Sequence, residues 1–528
     1  MSDIRTMRLT VLATSDVHGH VLPVRYADNA RTESGLSKLA TIVRETREKS
    51  DLMLFIDNGD LLQGTPFAYY FARLDETTPH PIVETMNALG LDAFVPGNHE
   101  FNYGLSFVRR TWQQSKYPWL SANVLDAKTG EPYFGVPYRI LEGEEGLRVA
   151  VLGLTTAYIP NWEQPGNIER LRFEPATEAA KRWVPILKER EGAHVVIVSY
   201  HGGFERDIGT GEEIEEQTGE NEGWRLCQEV EGIDLLVTGH QHRRIEGARV
   251  GRTWTVQPGY QASGLSRIEL NLENRAGEWG LASVRSDFAE SEGVESDEEL
   301  ERRLSTSEAL TQRWLDTPIC EIRGDMMLTD HAAARLSEHP LVALINRIQM
   351  EATGTAISCT SLFDNAATGF GPRVTMREVT ANYPYPNTLK VLRLSGKDIL
   401  EALEKTAAYF AQAAPGGPIQ VSPAYLFPKP QHYNYDMWAG IEYGIDVSRP
   451  AGNRVAYVRR DCRPLDLNAS FDVVMNHYRA SGGGDYRMFR GKPVVRESTV
   501  DMTETIAEWL AKAQVVEARA DGQWRVYS

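Results

Sequence analysis

Apolar residues in the first half of the chain fall in short runs rich in Val, Ile and Leu, each closing on a polar or glycine-containing cluster. The clearest are MRLTVLATSD, LMLFIDNGD, AFVPGNHE, RVAVLGLTT, HVVIVSYHGG, IDLLVTGHQH and TWTVQPGY, with helical-looking segments between several of them. Unbroken runs of this kind predict strands covered on both faces, the habit of an α/β domain. Ligand sites in open α/β sheets favour the loops beyond the carboxyl ends of strands, and the polar clusters occupy those positions.

From Phe288 to Pro318 the character changes. FAESEGVESDEELERRLSTSEALTQRWLDTP is acidic and Ser-containing and then reads as an exposed helix, so the domain junction is placed there. The expected division is 1–290 for a first domain, 291–324 for a helical linker and 325–528 for a second domain. Beyond the junction, HPLVALINRIQMEAT and GKDILEALEKTAAYFAQ carry helical periodicity, and RVTMREVTANYPYPNTLKVLRL reads as helix or loop leading into a strand. APGGPIQVSPAYLFPKPQHYNYDMW is expected to be a long ordered loop rather than a repeat. A length of 528 residues exceeds one ordinary core and suits two or three domains.

Charge narrows the partners. With 56 Lys and Arg against 73 Asp and Glu the net charge is −17, which argues against coating long nucleic acid or an anionic membrane by bulk attraction. An anionic substrate must be captured locally. No stretch approaches the roughly 18 uninterrupted apolar residues of a membrane span. The opening MSDIRTMRLTVLATSDVHGH reaches a polar motif before a signal-like segment forms, so a cytoplasmic location is expected, with an exported mature form as the alternative. Cys227, Cys320, Cys359 and Cys462 are far apart and form no CxxC, which suggests neither a disulfide framework nor a zinc ribbon.

Five clusters carry the candidate chemistry: SDVHGH with Asp16 and His18, NGD with Asp60, GNHE with Asn98 and His99, SYHGG with His201, and GHQH with His240 and His242. Each alone has a bland reading: a solvated carboxylate beside a histidine, a turn capped by His99, or a satisfied histidine at a strand end. Together, at predicted strand ends in one domain, they offer two carboxylates, one amide oxygen and four imidazoles besides His99. A pair of divalent ions needs about that inventory, with one carboxylate bridging and positions open for water and substrate.

The order D-x-H, G-D, G-N-H-E, H and G-H-x-H resembles the calcineurin-like metallophosphoesterase superfamily over the entire N-terminal half. That resemblance implies an α/β fold: an N-terminal sandwich of mixed β-sheets flanked by helices, a helical linker and a C-terminal α/β nucleotide-binding domain. It implies one metal held by Asp16, His18, Asp60 and His242 and another by Asp60, Asn98, His201 and His240, with Asp60 as the bridge. The implied chemistry is in-line attack by a metal-bridging hydroxide without a phosphoenzyme. His99 would stabilise the transferring phosphoryl group or protonate the leaving oxygen. Mixed imidazole, carboxylate and amide ligation suits Mn, Zn, Fe or Co better than Ca and leaves the choice among them open.

A second domain after residue 325 narrows the resemblance to the 5'-nucleotidase family, whose C-terminal domain binds the nucleotide. Typical members have Asp where GNHEFNYG has Asn102, the usual partner of the catalytic histidine; Asn can orient His99 but cannot stabilise an imidazolium by charge. GNHEFNYG, GHQH, YPYPNTL, YNYD and NHYRASGGG resemble the 2',3'-cyclic-nucleotide 2'-phosphodiesterase/3'-nucleotidase branch over essentially the full chain. By that resemblance Tyr435 and Tyr478 are expected to sandwich the base, and the Gly482–Gly484 run to allow close backbone approach. Asp485 stands one position away from the Asp that 5'-nucleotidases carry in this turn. Arg335 resembles the family's R-x-x-E segment, while DNAATGFGPR keeps Asn365 but places Arg373 away from the N-G-G-G-I-R spacing. Arg335, Asn365 and Arg373 are therefore candidate substrate contacts, each with the ordinary reading of a structural or surface group beside it.

The expected function is a dimetal phosphoric ester hydrolase acting on a nucleotide or nucleoside cyclic phosphate. The alternatives are a 5'-nucleotidase or nucleotide-sugar hydrolase and, outside the enzymes, a nucleotide-binding protein. Neither base preference nor oligomeric state follows from these motifs.

Overall fold

The computed structural model describes residues 5–215, 217–275, 277–385, 387–427 and 429–528. Two compact units account for the chain: Met1–Arg25 with Asn29–Thr311, and Tyr26–Asp28 with Gln312–Ser528. The acidic stretch expected as a linker forms the helix Glu298–Leu315, and the boundary between units runs through it.

The first unit is built on two sheets. One has the strand order Glu278–Glu290, Gly264–Arg275, Arg5–Thr14, Leu52–Asp57, Ala93–Phe94. The other runs Arg244–Val250, Thr253–Pro258, Leu235–Val237, Val195–His201, Arg148–Thr155, Tyr138–Glu142. The apolar runs have no polar face because both sides are covered. Val149, Val151, Val195 and Ile197 meet Leu9, Val11, Leu54 and Ile56 in a core shared by the two sheets. Their neighbours Ala150, Leu152, Val196 and Val198 belong to a second core with the helices Ala176–Pro185 and Gly223–Glu229. Period-two alternation thus divides each run between two apolar layers.

Strand direction positions the site. Arg5–Thr14, Leu52–Asp57 and Ala93–Phe94 are mutually parallel neighbours, as are Arg148–Thr155, Val195–His201 and Leu235–Val237. Parallel strands bring their carboxyl ends to one edge of a sheet, and every metal-candidate cluster lies at or just beyond such an end, His201 being the last residue of its strand.

The second unit has a five-stranded sheet ordered Met437–Ala439, Ile357–Thr360, Ser470–Asn476, Thr388–Ser395, Val494–Asp501. A four-stranded sheet includes Glu442–Asp446 and Trp524–Tyr527. HPLVALINRIQMEAT forms the helix Pro340–Thr353, with the His339 ring accepting the Leu341 N–H at 3.2 Å. The second periodic segment is helical over Gly396–Ala407, opened by a reciprocal capping box between Ser395 and Asp398. It stops before Tyr409 and Phe410, which enter the core instead, Phe410 through a bridge to Val421. Thr375 and Glu378 form another capping box at Met376–Asn382, ahead of the strand Thr388–Ser395; Pro386 of YPYPNTL lies outside the described residues. The Pro-rich stretch contributes two short turns, Pro423–Tyr425 and His432–Asn434. All four cysteines are free thiols. Among the described residues no helix is long and apolar enough to cross a membrane.

Candidate dimetal site

The loops after these strands turn sharply. Asp16, His18, Asp60, His240 and His242 all have positive φ, between 49° and 67°, so five of the seven candidate ligands sit in the left-handed region. Such a backbone costs a residue with a side chain about 1–3 kcal/mol and persists where its surroundings over-determine it, as at ligand clamps. Gly97 is needed for close approach: a Cβ there would run into the Asp60 carboxylate and the His201 ring.

Two groups of donors result. Asp16, His18 and His242 offer ligand atoms within 4.8 Å of one another, and so do Asp60, His201 and His240. Asn98 joins the second group, its Oδ1 lying 2.9 Å from His240 Nδ1 and 3.2 Å from His201 Nε2. Asp60 touches both. Its Oδ2 is 3.2 Å from His201 Nε2 and 3.9 Å from His18 Nε2, while Oδ1 accepts the His99 N–H at 2.8 Å.

The donor set fits divalent cations on its own geometry. His18 Nδ1 donates to the Gln63 carbonyl at 3.1 Å, which turns the lone pair on Nε2 toward His242 Nε2, 3.0 Å away. His240 Nε2 donates to Glu220 Oε1 at 3.0 Å, so its Nδ1 lone pair faces the Asn98 oxygen. His201 Nδ1 donates to the Asn58 carbonyl at 2.6 Å and aims Nε2 at Asp60. Lone pairs held this close call for a shared cation or proton, and imidazoles oriented by a second hydrogen bond are the common form of metal-ligating histidine.

Electrostatics agree with that chemistry. Burial keeps the His18 ring neutral, with its pKa lowered to about 3. Burial likewise pushes Asp16 above the usual carboxylate range. It opposes charge on Asp60 too, but His201 and His99 outweigh it and hold that carboxylate well below its usual range. His201 pays the same burial penalty, yet Asp60 beside it raises the ring to about 10. A divalent ion there would take the place of that proton.

His99 Nδ1 lies 2.7 Å from Asn102 Oδ1, and its ring meets the His18 ring edge-on at 5.2 Å. In the second unit Arg335 and Asn365 come together: Arg335 is buried and donates to Asn365 Oδ1 at 2.8 Å and to the carbonyls of His331, Asp364 and Leu362. Arg373 is not brought to that pair; it is exposed on the short strand Arg373–Thr375, opposite Glu321.

The expectation for Tyr435 is corrected. Its ring is 0% exposed, packed on Tyr409 and Phe410, and its hydroxyl donates to the Arg335 carbonyl at 2.7 Å, so no face is left for a base. The half-buried aromatic beside Tyr478 is Tyr433, with ring centroids 6.5 Å apart. Residues two apart in YNYD turn to different surroundings, and the motif alone does not say which one faces inward. The glycine run also has a different neighbour from the one expected: a Cβ on Gly484 would strike Asn434 and Arg479, so the close approach is to the protein itself. Arg479 is buried on Asp436 at 2.8 Å and holds the Tyr433 carbonyl at 2.7 Å. Asp485 pairs with Lys405 at 3.6 Å.

Three acidic residues that the motif reading passed over support the site. Glu100 accepts the N–H groups of Gly97, Asp60, Leu61 and Leu62 at 2.7 to 3.1 Å, which ties two ligand loops together. Glu220 orients His240, and Glu163 accepts from the Asn102 amide at 2.7 Å. Glu100 could have been found as the last residue of GNHE; Glu163 and Glu220 carry no local signal. Two aromatic rings back the histidines, Trp162 stacked on His240 at 5.2 Å and Tyr260 on His242 at 4.9 Å.

Comparison with known proteins extends over both units. The calcineurin-like phosphoesterase family matches residues 9–244, and the 5'-nucleotidase C-terminal domain matches residues 321–491. A Staphylococcus aureus protein described as a candidate 5'-nucleotidase, crystallised with alpha-ketoglutarate, is 33% identical with a TM-score of 0.88, over 99% of this chain and 100% of that one. The 2',3'-cyclic-nucleotide 2'-phosphodiesterase/3'-nucleotidase of Yersinia enterocolitica is 27% identical over 99% of this chain and 88% of its own length. The trifunctional nucleotide phosphoesterase protein YfkN of Bacillus subtilis is 26% identical over 98% of this chain, which spans only 39% of that protein's length. With a strand-end donor cluster in a two-sheet first unit and full-length likeness through the second, the chain belongs to the two-domain 5'-nucleotidase family, a calcineurin-like phosphoesterase followed by a 5'-nucleotidase C-terminal domain.

Proposed function

We propose that the protein is a metal-dependent phosphohydrolase of nucleotides that opens 2',3'-cyclic phosphates and removes the resulting 3'-phosphate. The observation that carries this reading is Asp60, a buried carboxylate whose Oδ2 reaches His18 on one side and His201 on the other. A carboxylate shared between two donor groups suits two-cation hydrolysis of a phosphoester. Asp16, His18, Asp60 and His242 would hold one ion, and Asp60, Asn98, His201 and His240 the other. When bound, the ions would supply Lewis acidity toward the phosphoryl oxygens and lower the pKa of water.

The chain's own residues handle the rest. Hydrolysis joins a water oxygen to phosphorus and releases the ring oxygen, which must gain a proton. His99 would make that transfer through Nε2, since Nδ1 is engaged by Asn102. In its protonated form Nε2–H delivers the proton to the leaving oxygen; in its neutral form Nε2 accepts one. The nucleoside is assigned to the second unit, with Tyr433 and Tyr478, whose rings meet edge-on at 6.5 Å, as its aromatic contacts, and with Asn365 held by Arg335. Asn102 within GNHEFNYG and the likeness to the Yersinia enzyme support the cyclic and 3' substrates. The likeness to the Staphylococcus protein favours the second reading, a 5'-nucleotidase or nucleotide-sugar hydrolase.

The test is release of phosphate and nucleoside from 2',3'-cyclic AMP, 3'-AMP, 5'-AMP and a nucleotide sugar, with Mn²⁺ and with EDTA. Metal-dependent turnover dominated by the cyclic and 3' substrates is expected. Dominant 5'-AMP or nucleotide-sugar hydrolysis would transfer the assignment to the second reading. Nucleotide binding that survives chelation, with no turnover on any substrate, would make the protein a binder.

A further inference from the structure

We propose that Glu163 is a positioning residue for His99, acting through the side-chain amide of Asn102; this rests on the phosphohydrolase reading in which His99 faces the substrate. A carboxylate can only accept hydrogen bonds, so the Asn102 group 2.7 Å from Glu163 Oε2 must be the NH₂. The amide oxygen is thereby turned to His99 Nδ1, also 2.7 Å away, and the ring must carry its hydrogen on Nδ1. Glu163 decides which end of a symmetric-looking amide His99 meets.

Glu163 is itself held. It is 7% exposed, its Oε1 accepts the Gln164 N–H at 2.7 Å and the Asn167 amide at 2.8 Å, and Asn167 also donates to the Asn102 carbonyl at 3.2 Å. The adjacent Trp162 stacks on His240, so one short turn supports both a candidate metal ligand and the His99 partner. A carboxylate at position 102 would meet the Glu163 carboxylate across the same 2.7 Å, which gives a physical reason for an amide there.

The two side chains must then match in donor and acceptor character, and exchanging that character tests the idea. In Glu163→Gln the new NH₂ faces the Asn102 NH₂, forcing that amide to turn its own NH₂ to His99. In Asn102→Asp two carboxylates face each other. In the double variant Asn102→Asp/Glu163→Gln the Gln NH₂ donates to the Asp, whose other oxygen accepts from His99. Each single variant is expected to lose about ten-fold or more in kcat, with KM within about three-fold and metal content unchanged; the double variant should return to within about three-fold of wild type. Singles at the wild-type rate, or a double that multiplies the two losses, would overturn the proposal. Long-range ¹⁵N–¹H spectra give a second readout that needs no turnover: the His99 proton sits on Nδ1 in wild type, moves to Nε2 in Glu163→Gln and returns in the double variant. An unmoved proton would overturn the Glu163 role even in an active enzyme, whereas an inactive wild type with the expected spectra would overturn the substrate reading alone.

Discussion

The choice between Tyr435 and Tyr433 as the nucleoside contact separates two kinds of damage. Tyr435→Phe removes only the hydroxyl that donates to the Arg335 carbonyl at 2.7 Å, inside a fully buried site. A buried acceptor left without its donor costs about 1 to 2 kcal/mol. For a unit of this size each kcal/mol shifts the transition by about 2–4 °C, so the melting of the C-terminal unit should fall by about 2 to 8 °C. KM for the nucleotide should stay within two-fold or so. Tyr433→Ala should do the reverse: removing one stacking face costs about 1–3 kcal/mol of binding, a rise in KM of roughly 5- to 150-fold with kcat kept. Differential scanning calorimetry and steady-state kinetics on the same preparations decide it. A large KM effect in Tyr435→Phe with normal melting would refute the burial reasoning and restore the expectation drawn from the motif.

Other consequences follow from single residues. Asp60→Ala should abolish turnover and deplete both metal positions, read by metal analysis; full turnover would remove the shared carboxylate from the mechanism. Glu220→Gln keeps an acceptor for His240 but not its charge, so one of two metal-binding steps should weaken about ten-fold by chelator competition while the other holds. Equal weakening of both would contradict a role through His240. His80 is buried between Phe71 and Phe107, with burial and the nearby Arg110 cation lowering its pKa to about 3. Below about pH 6.5 the unfolded chain binds a proton that the folded ring refuses, so stability falls as pH drops toward 3, by up to about 1.4 kcal/mol per unit. His80→Phe should remove that part of the acid slope in urea titrations, and an unchanged slope would show another group responsible.

The candidate metal donors were legible because each stands within a few residues of an apolar run. Such runs become buried strands wherever they pack, and parallel neighbours deliver their ends to one edge. Local sequence therefore grouped Asp16, His18, Asp60, Asn98, His201, His240 and His242 as candidates, and helical periodicity pointed to helices in the second unit, to which the structure adds the Ser395 and Thr375 caps. Tertiary structure alone decided which tyrosine of YNYD is core, since a two-residue offset changes the environment and both residues suit either. It also decided which acids matter. Glu163 meets Asn102 across 61 positions and Glu220 meets His240 across 20, contacts made by loops from different strands. Hydrophobic patterning sets where strands begin and end, but hydrogen bonds between loops depend on the register of the folded sheets, and no local spacing encodes them.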